Sequence, residues 1–267
     1  MDNDFGIIED KINHGLFGAT MTWVLEILPY LKKNNIYPIW NIDTYCYGNI
    51  FPSLIIPNKV NTIKNIKTSL VKIKSSQAHQ FTVDDFKLAH DLFFEYFSIS
   101  SDILKKVDDI KNTFGNKTLG VHFRGTDKLN LESEYISKED YIKNINAFLS
   151  TQNDFDTIYV TCDEADFIPL LLNKISETKY KIIVSNSFKS TNNKSIHYHN
   201  FGNHLAKEAL VDSLVLSKCD CIIKTSSALS DWVKIWNPEI EVYIVNKYII
   251  PYFPHAMIPV KTFYLPD

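Results

Sequence analysis

The sequence predicts an α/β protein whose second half forms a parallel sheet. From Thr118 onward, short apolar runs alternate regularly with segments of helical periodicity, an order typical of right-handed crossover units on a parallel sheet. Among 267 residues, 45% are hydrophobic and 22% are charged, a globular balance with enough apolar material for a sizeable core. The helix-stop pair Gly115-Asn116 predicts a boundary between an N-terminal unit, residues 1–115, and a C-terminal unit, residues 116–267.

Charge and hydropathy argue against two kinds of partner. The formal net charge of −3 gives no electrostatic reason to bind nucleic acid or another polyanion. No apolar stretch is long enough to span a bilayer, and residues 1–5 lack the basic region and apolar core of a signal sequence. We therefore expect a cytoplasmic protein without a transmembrane segment.

The cysteines and histidines show no metal-site pattern. Cys219 and Cys221 would point to opposite faces of a strand, and the second pair that a zinc site needs is missing. We expect all 4 cysteines to be reduced and structural. His197 and His199 alternate without a third ligand, so no metal is expected to bind.

In the first half, hydrophobic periodicity and turn residues place the elements. A glycine-bearing turn at residues 13–18 lies between a strand and a helix, where doubly wound sheets bind ligands, but plain chain reversal explains it equally well. Pro29 predicts a kink near the end of the first helix. The expected strands cover residues 7–12 and 36–40, and the expected helices cover 19–32, 83–97 and 102–114.

In the second half the elements are better defined. Ser137 and Asp140 resemble a capping box that opens a helix. The inward face of that helix is expected to consist of Tyr141, Ile145, Phe148 and Leu149. The expected strands cover residues 118–123, 157–161, 180–185, 221–223 and 242–245, and the further helices cover 167–175, 205–217 and 227–236.

Polar segments follow three of these strands. Residues 124–128 follow the first strand of this half, residues 161–164 follow the second, and residues 224–227 follow the fourth. Because the carboxyl ends of parallel strands share one edge of a sheet, and ligands bind at that edge, we expect these loops to form one site.

The first and third loops together suit a diphosphate group. Arg124 offers a planar fork of donors, Lys128 adds a mobile charge, and Gly125 lets the backbone approach a bulky ligand. The third loop adds hydroxyls and N–H groups at the start of a helix. Taken alone, Arg124 is better explained as an ordinary surface or ion-paired arginine, but the combination favours phosphate binding. No Walker-type glycine run is present, which disfavours a P-loop kinase.

His122 lies in the strand just before Arg124 and on the same face of the sheet. A buried histidine with its hydrogen bonds satisfied and a contact on the wall of a ligand pocket explain it equally well.

Residues 120–128 (GVHFRGTDK) resemble the first donor-binding motif of the α-1,6-fucosyltransferases and, more loosely, that of the nodulation and protein O-fucosyltransferases. Residues 158–164 resemble the strand of that superfamily that ends in paired acids, and residues 212–227 resemble its third motif. The similarity covers about residues 85–245. It implies a GT-B fold, in which two Rossmann-like domains face each other across a cleft, with an acceptor-side N-terminal domain and a C-terminal domain that binds the nucleotide sugar.

The resemblance also implies roles for individual residues. Arg124 would hold the β-phosphate of the donor with support from Lys128, Asp212 would contact the guanine base or its neighbourhood, and Ser226 or Ser227 would contact a phosphate oxygen. The expected donor-binding residues are His122, Arg124, Lys128, Asp163, Asp212, Thr225, Ser226 and Ser227.

A candidate general base also follows from the resemblance. Glu132 stands where the α-1,6 enzymes keep a carboxylate that acts toward the acceptor hydroxyl, although an ordinary loop acid explains it as well. Asp43 and Glu26 of the first unit are the next candidates.

The chain departs from these enzymes at Gly125, where they have a second arginine, and residues 1–115 make a short acceptor-side unit. We expect an inverting, metal-independent glycosyltransferase that acts on a glycan or glycolipid, with GDP-fucose as the favoured donor and no cofactor besides that substrate. One alternative is the same fold with another donor, such as UDP-xylose. Another is a non-catalytic module that binds a nucleotide sugar or a glycan. The sequence does not predict the oligomeric state.

Overall fold

A computed structural model describes residues 4–12, 16–44, 47–50, 53–59, 81–126, 133–175, 179–191, 202–246 and 258–263. Its first half contains a three-stranded sheet, in which the first two strands are parallel and the third is antiparallel, and a two-stranded antiparallel sheet. The strands are β1 (Asp4–Ile12), β2 (Ile36–Thr44), β3 (Gly48–Asn49), β4 (Ile55–Pro57) and β5 (Phe97–Ile99). The helices are α1 (Leu16–Thr22), α2 (Leu28–Lys33), α3 (Val83–Tyr96) and α4 (Ser101–Lys111).

The first predicted helix is irregular, as Pro29 indicates, but the irregularity precedes the proline. Residues Trp23–Ile27 form a π-helical turn between α1 and α2, and Pro29 lies in the first turn of α2. Proline has no N–H to donate to the carbonyl four residues earlier. The wider π turn is therefore found where the regular hydrogen-bond pattern is already interrupted.

The second half confirms the predicted alternation of strands and helices. Its strands are β6 (Thr118–Phe123), β7 (Thr157–Cys162), β8 (Lys181–Val184), β9 (Cys221–Lys224), β10 (Glu241–Ile244) and β11 (Lys261–Thr262). They form one sheet in the order β11-β10-β9-β6-β7-β8, and every neighbouring pair is parallel. The helices are α5 (Lys138–Thr151), α6 (Phe167–Lys174), α7 (Asn203–Leu216), α8 (Ala228–Asp231) and α9 (Val233–Trp236).

The helix expected over residues 227–236 is therefore two short helices separated at Trp232. The indole Nε1 of Trp232 donates to the carbonyl oxygen of Phe17 at 2.7 Å. This bond ties the break between α8 and α9 to α1, a contact between distant segments that helical periodicity cannot reveal.

The helix cap at Ser137 forms as predicted. The Ser137 hydroxyl accepts a hydrogen bond from the Asp140 amide at 3.0 Å and lies 2.6 Å from the Asp140 carboxylate. The expected inward face of α5 is buried: Tyr141, Ile145, Phe148 and Leu149.

The central strand β6 is buried along its whole length. On one face, Phe123 stacks on Phe167 of α6 at a ring-centroid distance of 4.5 Å. On the other face, a Cβ added to Gly120 would lie 3.1 Å from Cδ2 of Leu216 in α7. Helices thus cover both faces of β6.

A hydrophobic core cluster extends from the first half into the second. It includes Phe17 of α1 and Phe93 of α3 together with Trp232 and Trp236. Phe93 packs edge-on against both indole rings, at centroid distances of 6.1 and 5.1 Å. The segment that follows β9 is thereby packed against the N-terminal helices. Across the described residues, we find no helix with the length and apolarity needed to cross a membrane.

Candidate functional site

The chain reverses its direction of travel across the large sheet between β6 and β9. From β6 it moves outward to β7 and β8, and then it returns to the other side of β6 to form β9 and β10. Crevices at such switch points, outside the carboxyl ends of the strands, are where open α/β sheets bind ligands. The loops that begin at Arg124 and Thr225 follow the carboxyl ends of these two paired strands.

Hydrogen bonds join the loop after β9 to Arg124 and to the end of β6. The amide of Arg124 donates to the Thr225 hydroxyl at 2.8 Å, and the amide of Thr225 donates to the His122 carbonyl oxygen at 3.1 Å. Thr225 is fully buried. The sequence-predicted convergence of the first and third loops is therefore present in the fold.

Asp163 brings in the second loop. Its carboxylate pairs with Nε of Arg124 at 3.2 Å and accepts hydrogen bonds from the Gly125 amide at 2.9 Å and the Thr126 hydroxyl at 2.6 Å. Arg124 and Asp163 are both buried, with 7% and 4% of their surface exposed. The attraction between two opposite charges in so dry a setting holds the guanidinium next to Asp163. Asp163 thus helps to position Arg124 where the first and second loops meet.

The role that we expected for Gly125 needs a correction. A Cβ at this position would overlap the carboxylate of Glu164 and lie 2.8 Å from Cε1 of Phe123. The absent side chain therefore makes room for Glu164, and the space over Gly125 is already occupied by this chain. Glu164 is buried and forms an ion pair with Lys138. Burial raises the pKa of the Glu164 carboxyl, although Lys138 opposes that shift.

His122 lies on β6 between Thr161 of β7 and Lys224 of β9 in the strand register. The ring is buried, and Nδ1 has no hydrogen-bond partner among the described residues. Burial, together with the charges of Lys224 and Arg124, holds the pKa of His122 well below its usual range. The imidazole is therefore neutral and has an unsatisfied nitrogen, which agrees with a pocket contact better than with a satisfied core histidine.

The loop after β9 carries the expected hydroxyls. The Ser226 amide donates to Oδ1 of Asn246 at 2.9 Å, but Oγ of Ser226 is buried with no hydrogen-bond partner in the described part of the chain. The Ser227 carbonyl oxygen accepts from Nζ of Lys224 at 2.9 Å. A buried hydroxyl without a partner is unfavourable, which makes Ser226 a candidate ligand contact.

Asp212 lies farther from the switch point, on α7. Its carboxylate accepts hydrogen bonds from Tyr159 at 3.0 Å, Thr161 at 2.6 Å and Ser185 at 2.5 Å. An ionised carboxylate has about four acceptor positions, so about one remains for a ligand. Asp212 also lines a cavity of about 580 Å³ that is bounded by α4, α7 and the end of β8. The structure thus places Asp212 where a ligand of moderate size can reach it.

Two expected site residues, Lys128 and Glu132, lie outside the described residues. The same applies to His197 and His199. The described residues contain no group of three or more His, Cys, Asp or Glu side chains arranged to hold a metal ion.

Three residues shape the site without an individual role predicted from the sequence. Lys224 and Asp231 form a buried ion pair next to the Thr225–Ser227 segment, called the serine loop from here on. Asn246, just after β10, accepts from the Ser226 amide and donates from Nδ2 to the Glu134 carbonyl oxygen at 3.2 Å. A lysine that ends an apolar strand was a visible signal for Lys224, because a charge at a buried strand end requires a partner. Nothing local marks Asn246, whose contacts join segments far apart in sequence.

Solved glycosyltransferase structures share this fold. NodZ α-1,6-fucosyltransferase crystallised with GDP superposes with a TM-score of 0.56 at 11% sequence identity, covering 94% of this chain and 100% of that chain. A mutant of Arabidopsis thaliana FUT1 in complex with GDP gives a TM-score of 0.52 at 8% identity, covering 91% and 70%. A glycosyl transferase family 9 protein from Veillonella parvula gives a TM-score of 0.50 at 9% identity, and the match covers 98% of this chain and 88% of that chain.

These similarities show the fold: the chain shares the α/β architecture of solved fucosyltransferases, as the sequence motifs implied. No protein-family model matches the chain, and no curated protein matches it in sequence. One fold can support many activities, so the function depends on the residues at the site.

Proposed function

We propose that this protein is a glycosyltransferase that binds a nucleotide sugar at the β6–β9 switch point. The observation that carries the proposal is the junction of Arg124 with Thr225 at that point, in a fold shared with fucosyltransferases. Beside this junction lie the buried Arg124 side chain, the buried Ser226 hydroxyl and Nδ1 of His122, and among the described residues neither the hydroxyl nor Nδ1 has a hydrogen-bond partner. Cationic and neutral hydrogen-bonding groups around a crevice are suited to a diphosphate.

The diphosphate would lie against Arg124 and Ser226, with Lys128 as a second cation. The nucleobase would then occupy the cavity beside Asp212, whose remaining acceptor position suits an N–H donor such as those of guanine. The favoured donor is GDP-fucose, because the motif resemblance points to it and NodZ structures of the same fold were obtained with GDP and GDP-fucose. UDP-xylose and other nucleotide sugars are the alternative donors.

The reaction would be a single inverting displacement. The acceptor hydroxyl oxygen bonds to the anomeric carbon as the bond from that carbon to the diphosphate oxygen breaks, and the nucleoside diphosphate leaves. The hydroxyl proton goes to a base, for which Glu132 is the candidate. Arg124 and Lys128 would stabilise the charge that develops on the diphosphate, so no metal ion is required.

The acceptor would be a glycan or glycolipid bound on the side of residues 1–115, across a cleft from residues 116–267. The packing of α1 against Trp232 supports a close approach of the two parts at the end of the serine loop. We further propose that the protein works in the cytoplasm.

A thermal-shift panel of GDP, UDP, CDP and dTDP sugars tests this function. A ligand that binds only the native state raises the unfolding midpoint, so the donor should stand out from the others. GDP-fucose is expected to give the largest shift, and transfer to a glycan should follow. A shift without transfer or hydrolysis would instead favour a non-catalytic binding module. The absence of a shift with every nucleotide sugar would refute the proposal.

A further inference from the structure

Lys224 and Asp231 form an ion pair in the interior of the protein, and both side chains are completely buried. Removing two charges from water carries a penalty that their mutual attraction rarely exceeds by much. Apolar side chains of similar volume would often serve stability equally well. Stability alone therefore gives a weak reason for a lysine at the end of an otherwise apolar strand.

The ammonium group of Lys224 contacts the serine loop from the interior of the protein. Besides pairing with Asp231, Nζ of Lys224 donates to the Ser227 carbonyl oxygen at 2.9 Å. These partners are 3 and 7 residues farther along the chain. Burial lowers the pKa of Lys224, and the neighbouring Asp231 opposes that shift. The pair thus ties the end of β9 to both the loop and α8.

Each residue of the serine loop consequently has at least one anchor. Thr225 is held by the Arg124 amide, the amide of Ser226 is held by Asn246, and the carbonyl of Ser227 is held by Lys224. The Ser226 hydroxyl, which is 1% exposed, has no hydrogen-bond partner among the described residues. The anchors therefore hold this buried hydroxyl at the β6–β9 switch point, an arrangement that suits a bound ligand.

We infer that Lys224 is a positioning residue for the donor diphosphate: through Ser227 and Asp231 it holds the Thr225–Ser227 loop in the shape that receives the phosphate oxygens. This inference rests on the proposed function. Lys224 does not itself touch the ligand, because its ammonium group is engaged beneath the loop. The ammonium group is one of three donors to the Ser227 carbonyl oxygen, together with the Asp231 amide at 3.1 Å and the Ser230 hydroxyl at 3.2 Å, and it is the only charged one of the three.

The test replaces the pair by apolar residues of similar size, Lys224→Met with Asp231→Leu. The matched control is Lys117→Met with Asp154→Leu, which removes the ion pair of 2.5 Å that lies before β6, at the opposite edge of the same sheet. Binding of GDP and of guanosine is measured for both variants and for the wild type by calorimetry. Guanosine lacks phosphates, so it reports on the base pocket alone.

The Lys224/Asp231 variant is expected to keep its unfolding midpoint and its guanosine affinity. Its affinity for GDP should fall about tenfold, the effect of losing roughly one well-placed hydrogen bond. With substrate, KM for the donor should rise more than kcat falls. The control variant should match the wild type in all of these measurements.

If the Lys224/Asp231 variant folds and binds GDP as tightly as the wild type, the inference is overturned. The ion pair would then have a structural role only. An equal loss of GDP and guanosine would do the same, because the defect would then not be specific to phosphate. If the apolar variant does not fold, Lys224→Gln with Asp231→Asn keeps polar groups at both positions and is judged by the same ratio of GDP to guanosine affinity. Failure of wild-type protein to bind GDP would instead count against the proposed function.

Discussion

The amide of Arg124 donates to the Thr225 hydroxyl at 2.8 Å, which joins two loops whose residues are 101 positions apart in the chain. Because the contact uses the backbone of Arg124, the loop is fixed independently of where the guanidinium points. The side chain is fixed separately by Asp163 at 3.2 Å. Groups held together in this way are expected to act on one ligand group and to show coupled effects when they are mutated.

Arg124→Ala is expected to lower kcat by about 10²–10³, because one preorganised contact with the developing charge is lost. The variant should still fold, since the Asp163 carboxylate keeps its hydrogen bonds from Gly125 and Thr126. Steady-state kinetics with the donor found by thermal shift measures the effect. Arg124→Lys keeps the charge but loses the planar fork, so its kcat should lie between that of the wild type and that of Arg124→Ala. If the kcat of Arg124→Ala equals that of the wild type, the donor site lies elsewhere.

Gly125→Ala is expected to destabilise the protein by about 1–3 kcal/mol, the usual effect of overpacking a dense site. The new methyl group would collide with the Glu164 carboxylate and with the ring of Phe123. Urea unfolding measures the change in the free energy of unfolding.

The matched double variant, Gly125→Ala with Glu164→Ala, should recover part of that loss because the carboxylate is no longer in the way. Additive effects of the two substitutions would contradict this explanation. Lys138 keeps a second partner in Asp166, at 2.7 Å, so removal of Glu164 does not leave it unpaired.

Much of the second half could be predicted from sequence because its signals are local. The buried run of β6 and the cap at Ser137 each need only a few neighbouring residues to be recognised. The third loop was placed correctly for the same reason. The occupant of the space over Gly125 was not predictable, since Glu164 reaches it from the end of a different strand. The short strands β4 and β11 carry too few residues for a period-2 pattern to appear.

Activity is expected to persist in excess EDTA. In the proposed mechanism the leaving diphosphate relies on Arg124 and Lys128 and not on a divalent ion. Transfer is measured after extended dialysis against the chelator, with and without added Mg²⁺ or Mn²⁺. A known metal-dependent transferase serves as the control for complete chelation. Complete loss of activity that Mn²⁺ or Mg²⁺ restores would point to a metal-dependent enzyme.

Glu132→Gln is expected to lower kcat by roughly 10²–10⁴ while leaving donor affinity almost unchanged, because the amide keeps the shape of the side chain but cannot accept the proton. Calorimetry with the donor tests the first half of this prediction, and transfer kinetics test the second. Glu134→Gln on the same loop is the matched control, and it should leave both kcat and donor affinity unchanged. Normal transfer by the Glu132 variant would move the search for the base to Asp43 or Glu26.

The stability of the protein is expected to fall as the pH drops from about 7 to 5, in part because of His122. Burial beside Lys224 and Arg124 holds the pKa of this histidine well below its usual range. In the unfolded chain the same side chain takes up a proton near pH 6.5, so below that pH the unfolded state binds more protons than the native state. One such group changes the free energy of unfolding by at most about 1.4 kcal/mol per pH unit.

The contribution of His122 can be isolated by comparing wild type with His122→Asn in urea unfolding at pH 7, 6 and 5. As the pH falls, the free energy of unfolding of the wild type should decrease relative to that of the variant. Only the wild type has a histidine at position 122 that takes up a proton on unfolding. Glu164, whose pKa burial raises, acts in the opposite sense in both proteins and cancels in the difference. Parallel pH curves would mean that the His122 ring accepts a proton in the native state. That result would argue against a neutral imidazole facing the proposed diphosphate.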